Sequence, residues 1–247
     1  MPLKEELESN GNWLFIRRSW LPVLLYPFAI IVLYFYRHYA FECITDAVWG
    51  AVCLFVSFLG LFVRACTVGF TPKGTSGRNT SAGQIAETVN QTGMYSIVRH
   101  PLYLGNYLMW LGLFMFLGLW WFVVICSLLY WIYYERIMIA EEEFLRRSYG
   151  PAYESWAKKT PAFLPDFSSW KPSALSFSMR NVLKREYNGM FAVAISFALM
   201  NVIAHLFVDS TFIIDDFWKI VFFVSLAVFL ILRTLKKSTK VLEVEGR

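Results

Sequence analysis

Four apolar stretches of about bilayer length, at roughly 21–36, 48–63, 190–208 and 217–232, and a fifth, 102–134, too long for one crossing, limit what this chain can fold into. About 20 mostly apolar residues cross a hydrocarbon core, fewer when flanking side chains snorkel. The composition agrees: 57% of residues are hydrophobic and only 17% charged, more apolar and less charged than a soluble domain. The long fifth stretch is divided by Gly112, Gly118 and the pair Trp120–Trp121, which predicts a helical hairpin with an interfacial turn near 117–120. The expected fold is therefore all-α: one polytopic membrane domain over 1–247, a bundle of about six spans of which the middle two are short.

The basic residues orient the bundle. With a cytoplasmic N-terminus, all but Arg37 and Lys219 of the 23 Lys and Arg residues fall on the cytoplasmic side. Both termini are then expected there. The net charge of +5 suits a positive-inside protein facing anionic lipid, and no nucleic acid is needed to explain it. Residues 1–20 are polar and mixed in charge, and no small-residue cleavage site follows the first apolar run, so that run reads as a retained span. Cys43, Cys53, Cys66 and Cys126 form no CxxC pair; they read as small apolar side chains, with no metal site or disulfide framework.

Three cytoplasmic stretches can carry chemistry, and the hairpin brings two of them together. TPKGTSGRNTSAG, 71–83, is either a flexible connector or an anion-binding loop built on Lys73, Arg78 and glycine-freed amides; it lacks the Lys and Ser/Thr that a P-loop needs after its second glycine. TGMYSIVRHPLYLG, 92–105, places Arg99, His100 and Pro101 at the mouth of the third span. Charge is costly inside a bilayer, whereas proline suits a first helical turn, so the triplet marks a helix start with free N–H donors and a positive end strengthened by Arg99. YYERIMIAEEEFLRRSYG, 133–150, returns three adjacent carboxylates to the same surface. The helical period pairs Glu142 with Arg146 and Glu143 with Arg147 but gives Glu141 no such partner. His205, mid-span, reads with Asn201 as a buried packing pair.

YSIVRHPLYLG at 95–105, a membrane hairpin, EEEFLRRSYGPAYESW at 141–156 and TPAFLP at 160–165 together resemble the isoprenylcysteine carboxyl methyltransferase and phospholipid methyltransferase superfamily, over 93–166. The resemblance implies S-adenosylmethionine-dependent methyl transfer in a helical membrane protein without a Rossmann-like domain, with a cofactor pocket facing the cytoplasm. Carried onto this sequence, that pocket takes Tyr95, Val98, His100, Pro101, Tyr103, Leu104, Gly105, Glu141 and Glu142. Arg99, His100 and Glu142 are expected to be catalytic, and Lys73, Arg78, Arg99 and Arg136 to hold the acceptor. That cationic set favours an anionic oxygen on a membrane lipid or lipid-linked acceptor, which needs no general base. An amine or thiol acceptor would call on His100 or Glu142.

Around this core, 1–92 supplies two spans and the Gly/Ser/Thr-rich loop, and 167–247 adds a basic amphipathic stretch and two more spans. These additions resemble bacterial lipid-modifying members, among them enzymes that methylate the phosphate of lipid A, and favour a bacterial inner membrane over the endoplasmic reticulum. Prenylcysteine carboxylate or phospholipid amine methylation is the nearest alternative. A silent membrane scaffold and a nicotinamide-dependent reductase of related fold are the readings from other classes. No metal is called for, and the oligomeric state is open.

Overall fold

A computed structural model describes residues 2–72 and 89–246. Among these residues the secondary structure is helical throughout, without a strand. Four helices are long and apolar enough to cross a membrane: α4 (Ala47–Gly69), α7 (Trp120–Tyr149), α9 (Met179–Val208) and α10 (Asp216–Ser238). A fifth crossing is possible where α1 (Leu3–Arg17) meets the 3-10 turn Leu21–Leu24 and α2 (Leu25–Phe35) at an 85° bend.

Two of the six expected spans are thus shorter than a crossing. Pro22 and Pro27 sit in the first apolar run, which is divided between the 3-10 turn and the 11 residues of α2 before α3 (Arg37–Thr45) turns away. The helix after Pro101, α6 (Pro101–Met115), has 15 residues and rises about 22 Å, against a hydrocarbon core of about 30 Å. The hairpin itself is present. α6 and α7 are joined by 116–119, where Gly118 takes φ +72° and accommodates the tight reversal.

Small residues bring α4 and α6 together. A Cβ on Gly60 would overlap the Gly105 carbonyl, and one on Gly112 would overlap Ser57 Oγ, whose hydroxyl donates to the Met109 carbonyl at 2.9 Å. Such close backbone approach replaces the hydrophobic drive that lipid cannot supply between helices. Gly112, expected to shape the hairpin, therefore serves packing against α4. The largest apolar cluster fills the far half of the bundle around Phe116, Phe122, Phe197 and Trp218.

The N-terminal segment is part of the bundle. α1 lies against the C-terminal half of α7, with Gly11 seated on the Arg136 carbonyl and Ala140, and with ion pairs Lys4–Glu143 (3.0 Å) and Glu8–Arg147 (2.5 Å). At the opposite end of α9, His205 does more than pack beside Asn201. Its Nδ1 meets Asp209 at 2.9 Å and its Nε2 meets Asp215 at 3.0 Å, while Asn201 Nδ2 donates to the same Asp215 carboxylate at 2.6 Å. This cluster ties the end of α9 to the start of α10.

Candidate active site

The site begins with a four-residue helix, α5 (Met94–Ile97), that leads in extended backbone to Pro101. Those extended residues are held by a strap that follows α8 (Pro151–Ala157). The Arg99 amide donates to the Pro161 carbonyl (2.8 Å), the His100 amide to Ala162 (3.2 Å), and the Asp166 amide to Ile97 (2.9 Å). The strap is the TPAFLP motif, and its physical role is to pair with RHP. Trp156 Nε1 also donates to the Tyr95 carbonyl at 3.2 Å, so α8 fixes Tyr95. The amides of Tyr103 and Leu104 donate to His100 O, and with those of Arg99 and His100 on the strap, the N–H donors expected at this helix start are largely engaged within the fold.

Opposite this segment, α7 presents its three glutamates to three different places. Glu142 accepts from Arg99 Nε at 3.0 Å and lies 3.0 Å from His100 Nε2. Glu141 accepts from the Tyr103 hydroxyl at 2.8 Å and from Arg18 Nη1 at 3.4 Å, with His100 Nδ1 3.5 Å away. Glu143 turns outward to Lys4 and Arg146. The expected Glu142–Arg146 and Glu143–Arg147 pairs are absent among these contacts, because across-bundle partners and α1 take those side chains first. The partner that Glu141 lacked along its own helix comes from α6 and the end of α1.

His100 is 7% exposed and has a carboxylate at each ring nitrogen. Burial alone would lower its pKa, but hydrogen bonds to, and the charges of, Glu141 and Glu142 outweigh that and raise it above the ordinary histidine value. The imidazolium is favoured, which makes His100 a poor proton acceptor. Tyr95 is half-buried at the cavity wall; loss of solvation and the Glu141 charge push its phenol up, against the opposing charges of Arg185 and Arg64. It feels both the Glu141 carboxylate and the guanidinium groups of Arg185 and Arg64.

A cavity of about 930 Å³ opens beside these residues, at the upper end of the range for small-molecule sites. Of the expected cofactor set, Tyr95, His100, Pro101, Tyr103 and Glu141 line it. Val98, Leu104, Gly105 and Glu142 do not: Val98 is buried beneath, Gly105 faces Gly60 and the Arg64 stem, and Glu142 stands behind His100. Arg99 lines the wall, but its guanidinium is committed to Glu142 and to the carbonyls of Ala157 (2.5 Å) and Thr160 (3.1 Å). It braces the site. Arg136 does not line the cavity: it lies on another face of α7, and its Nη1 returns to the Ile132 carbonyl at 2.9 Å. Lys73 and Arg78 lie outside the described residues.

Sequence reasoning missed the other half of the cavity. Arg64, from α4, makes a two-pronged pair with Glu186 of α9 (2.6 and 3.0 Å) and donates to Asn106 of α6 at 2.7 Å. Lys184, Arg185 and Asn188 of α9 and Lys236 of α10 complete that side. The available signal was Arg64 at the end of one apolar run and the KRE triplet at 184–186 before another. An ionisable residue at membrane depth calls for a partner. Among the described residues no group of three or more His, Cys, Asp or Glu side chains is arranged to hold a metal ion.

Comparison with known proteins locates this chain. Residues 74–152 match the family described as Phospholipid methyltransferase. A Protein-S-isoprenylcysteine O-methyltransferase of Schizosaccharomyces pombe is 36% identical over 73 residues, 30% of this chain and 31% of that protein. The Nickel-cobalt-cadmium resistance protein NccN of Alcaligenes xylosoxydans xylosoxydans is 33% identical over 51% of the chain and 56% of its own length. The Cobalt-zinc-cadmium resistance protein CzcN of Cupriavidus metallidurans is 29% identical over 49% and 58%. The chain spans between about a third and three fifths of these relatives. No solved structure matches it significantly.

Proposed function

The matched segment is that of the isoprenylcysteine carboxyl and phospholipid methyltransferase superfamily, and from that premise we propose that the chain is an integral-membrane methyltransferase that uses S-adenosylmethionine to methylate a lipid or lipid-linked acceptor. One observation carries the reading. Tyr95, His100, Tyr103 and Glu141, from the two halves of that segment, meet at one end of a membrane bundle and line one cavity. The same cavity holds Arg64, Lys184, Arg185 and Lys236, from the basic ends of three other helices, so its mouth is read as cytoplasmic.

The residues suit this cofactor. Its sulfonium and ammonium are cations, and Glu141, with the faces of Tyr95 and Tyr103, offers a carboxylate and aromatic rings to them; Arg18, already beside Glu141, offers a cation to its carboxylate. When bound, S-adenosylmethionine supplies an electrophilic methyl group. The protein's own part is positioning and exclusion of water: Glu142 locks His100, His100 and Arg18 orient Glu141, and the strap fixes Arg99. His100 is held toward its charged form, and Glu141 and Glu142 already accept hydrogen bonds. None of these three is a free general base, which favours an acceptor that arrives as an anion, such as a lipid phosphate oxygen.

The direct test is transfer of a labelled methyl group from S-adenosylmethionine into a total lipid extract, by membranes carrying the chain or His100→Ala. Label in an organic-phase lipid with the unaltered chain alone is the expected result, and chromatography of that band names the acceptor. No label and no cofactor binding would leave the scaffold and reductase readings.

A further inference from the structure

We infer that Lys184 and Lys236, where α9 and α10 meet the cavity, form a subsite for the anionic headgroup of an amphiphile, of the phosphate-ester class. The inference rests on the methyltransferase reading for its purpose but on separate residues for its argument. Six Lys and Arg side chains, and His100, line the cavity against two acidic ones. Internal pairing uses up the balance unevenly: Arg18 meets Glu141, Arg64 meets Glu186, and Arg99 meets Glu142 behind the wall. Among the described residues neither the Lys184 nor the Lys236 ammonium meets a carboxylate.

Lys236 is anchored even so, on the backbone of Lys184. Lys236 Nζ donates to the Lys184 carbonyl at 3.0 Å and lies 5.0 Å from the Tyr187 ring centroid, which joins the two helices where both lysines reach the cavity. One donor of the ammonium is spent there on a neutral carbonyl, and no carboxylate among the described residues balances the charge. Below them the lining becomes apolar through Gly189, Met109 and Ala192. A charged mouth over an apolar floor fits a headgroup carried on a hydrocarbon chain better than a free ion. Tyr95, Tyr103 and Glu141, which suit the methyl donor, line the same cavity from other elements than α9 and α10. Both lysines lie beyond residues 74–152, so the subsite belongs to what this chain adds to the matched segment.

The test is calorimetry on the full chain in phosphatidylcholine nanodiscs, titrated with dihexanoyl phosphatidic acid, inorganic phosphate and S-adenosylhomocysteine. The short-chain phosphatidic acid is expected to bind, at least tenfold more weakly to the Lys184→Gln, Lys236→Gln double variant and with near-native affinity to the double Arg variant, which keeps the charges. S-adenosylhomocysteine affinity is expected to stay within about twofold throughout, which also reports that the variants fold. Inorganic phosphate binding as tightly as the lipid would keep the anion subsite and overturn its lipid source. Lipid binding that is absent, or unchanged in the Gln variant, would overturn the subsite. Loss of S-adenosylhomocysteine binding alone, already in the unaltered chain, would overturn the methyltransferase reading and leave the phosphate arms to judge the lysines.

Discussion

Two histidines in this chain are clamped in the same way, each ring nitrogen facing a carboxylate, and only one of them lines the cavity of about 930 Å³. His205 is held by Asp209 on its own helix and Asp215 at the start of the next. Asp215 spends its carboxylate on His205 and Asn201, and gives α10 no side-chain cap. Its polar partners come from the facing ends of α9 and α10, with the Phe41 ring of α3 edge-on to the imidazole at 5.0 Å, so the cluster is a latch. His100 stands outside any helix, in extended backbone pinned by the strap, and its carboxylates come from a helix on the far side of the site. Arg18, Arg99 and Tyr103 reach into the same network. A histidine between two acids is thus not in itself a site. What distinguishes the two is how many independent elements converge and whether they leave a space between them.

The sharpest way to break this contrast is to remove each ring. His100→Ala should lower methyl transfer by a hundredfold or more, about 2.7 kcal/mol of barrier, whereas His205→Ala should leave the rate within a few fold; equal losses in a radiolabel assay would refute the distinction. Next in size is stability. Asp215→Ala leaves His205 and Asn201 without their shared acceptor and should cost about 1–3 kcal/mol, read as a lower unfolding midpoint in detergent, with cofactor-product affinity unchanged.

A third prediction concerns pH. Because the folded pKa of His100 is raised, its clamp contributes fully below the unfolded histidine pKa, near 6.5, and is lost as pH rises through the higher folded value. Binding of S-adenosylhomocysteine should therefore weaken as pH rises above neutrality, and in Glu142→Gln that fall should move to lower pH; a flat profile would remove the imidazolium from the site. The smallest effect belongs to the third glutamate. Glu143→Gln breaks pairs whose basic partners, Lys4 and Arg146, are exposed, and should change stability by about 1 kcal/mol, with no change in turnover.

The extent to which all this could be read in advance follows from the range of the forces involved. The hairpin turn at Gly118 and the meeting of the Arg99 and Glu141 ends follow from local pattern, since hydropathy and a glycine mark a reversal wherever they stand. Which glutamate faces the cavity does not. Glu141 and Glu142 are adjacent, and their roles are decided by Tyr103 and Arg18 on one side and by His100 and Arg99 on the other. Arg136 illustrates the opposite error, a basic residue near the site by sequence but turned to another face of its helix. The first span breaks at Pro22 and Pro27, since hydropathy counts apolar residues without knowing where a helix breaks; of the two middle spans expected to be short, α6 is, at 15 residues, whereas α7 runs to 30. Arg64 and Glu186 stayed hidden because an ion pair between residues 122 apart leaves no periodic trace.

The strap that pairs 161–166 with 97–100 decides where this protein can be divided. A fragment ending at residue 152, where the family match stops, would strip Arg99 and His100 of their backbone partners and lose the indole that holds Tyr95. A transplant of the last two helices onto another core should instead be joined between Ser173 and Ser178, after Lys171 has closed on Gly93 and Ser96 and before α9 begins. On the proposed reading, such a transplant would move the acceptor-side lysines and leave the donor side in place.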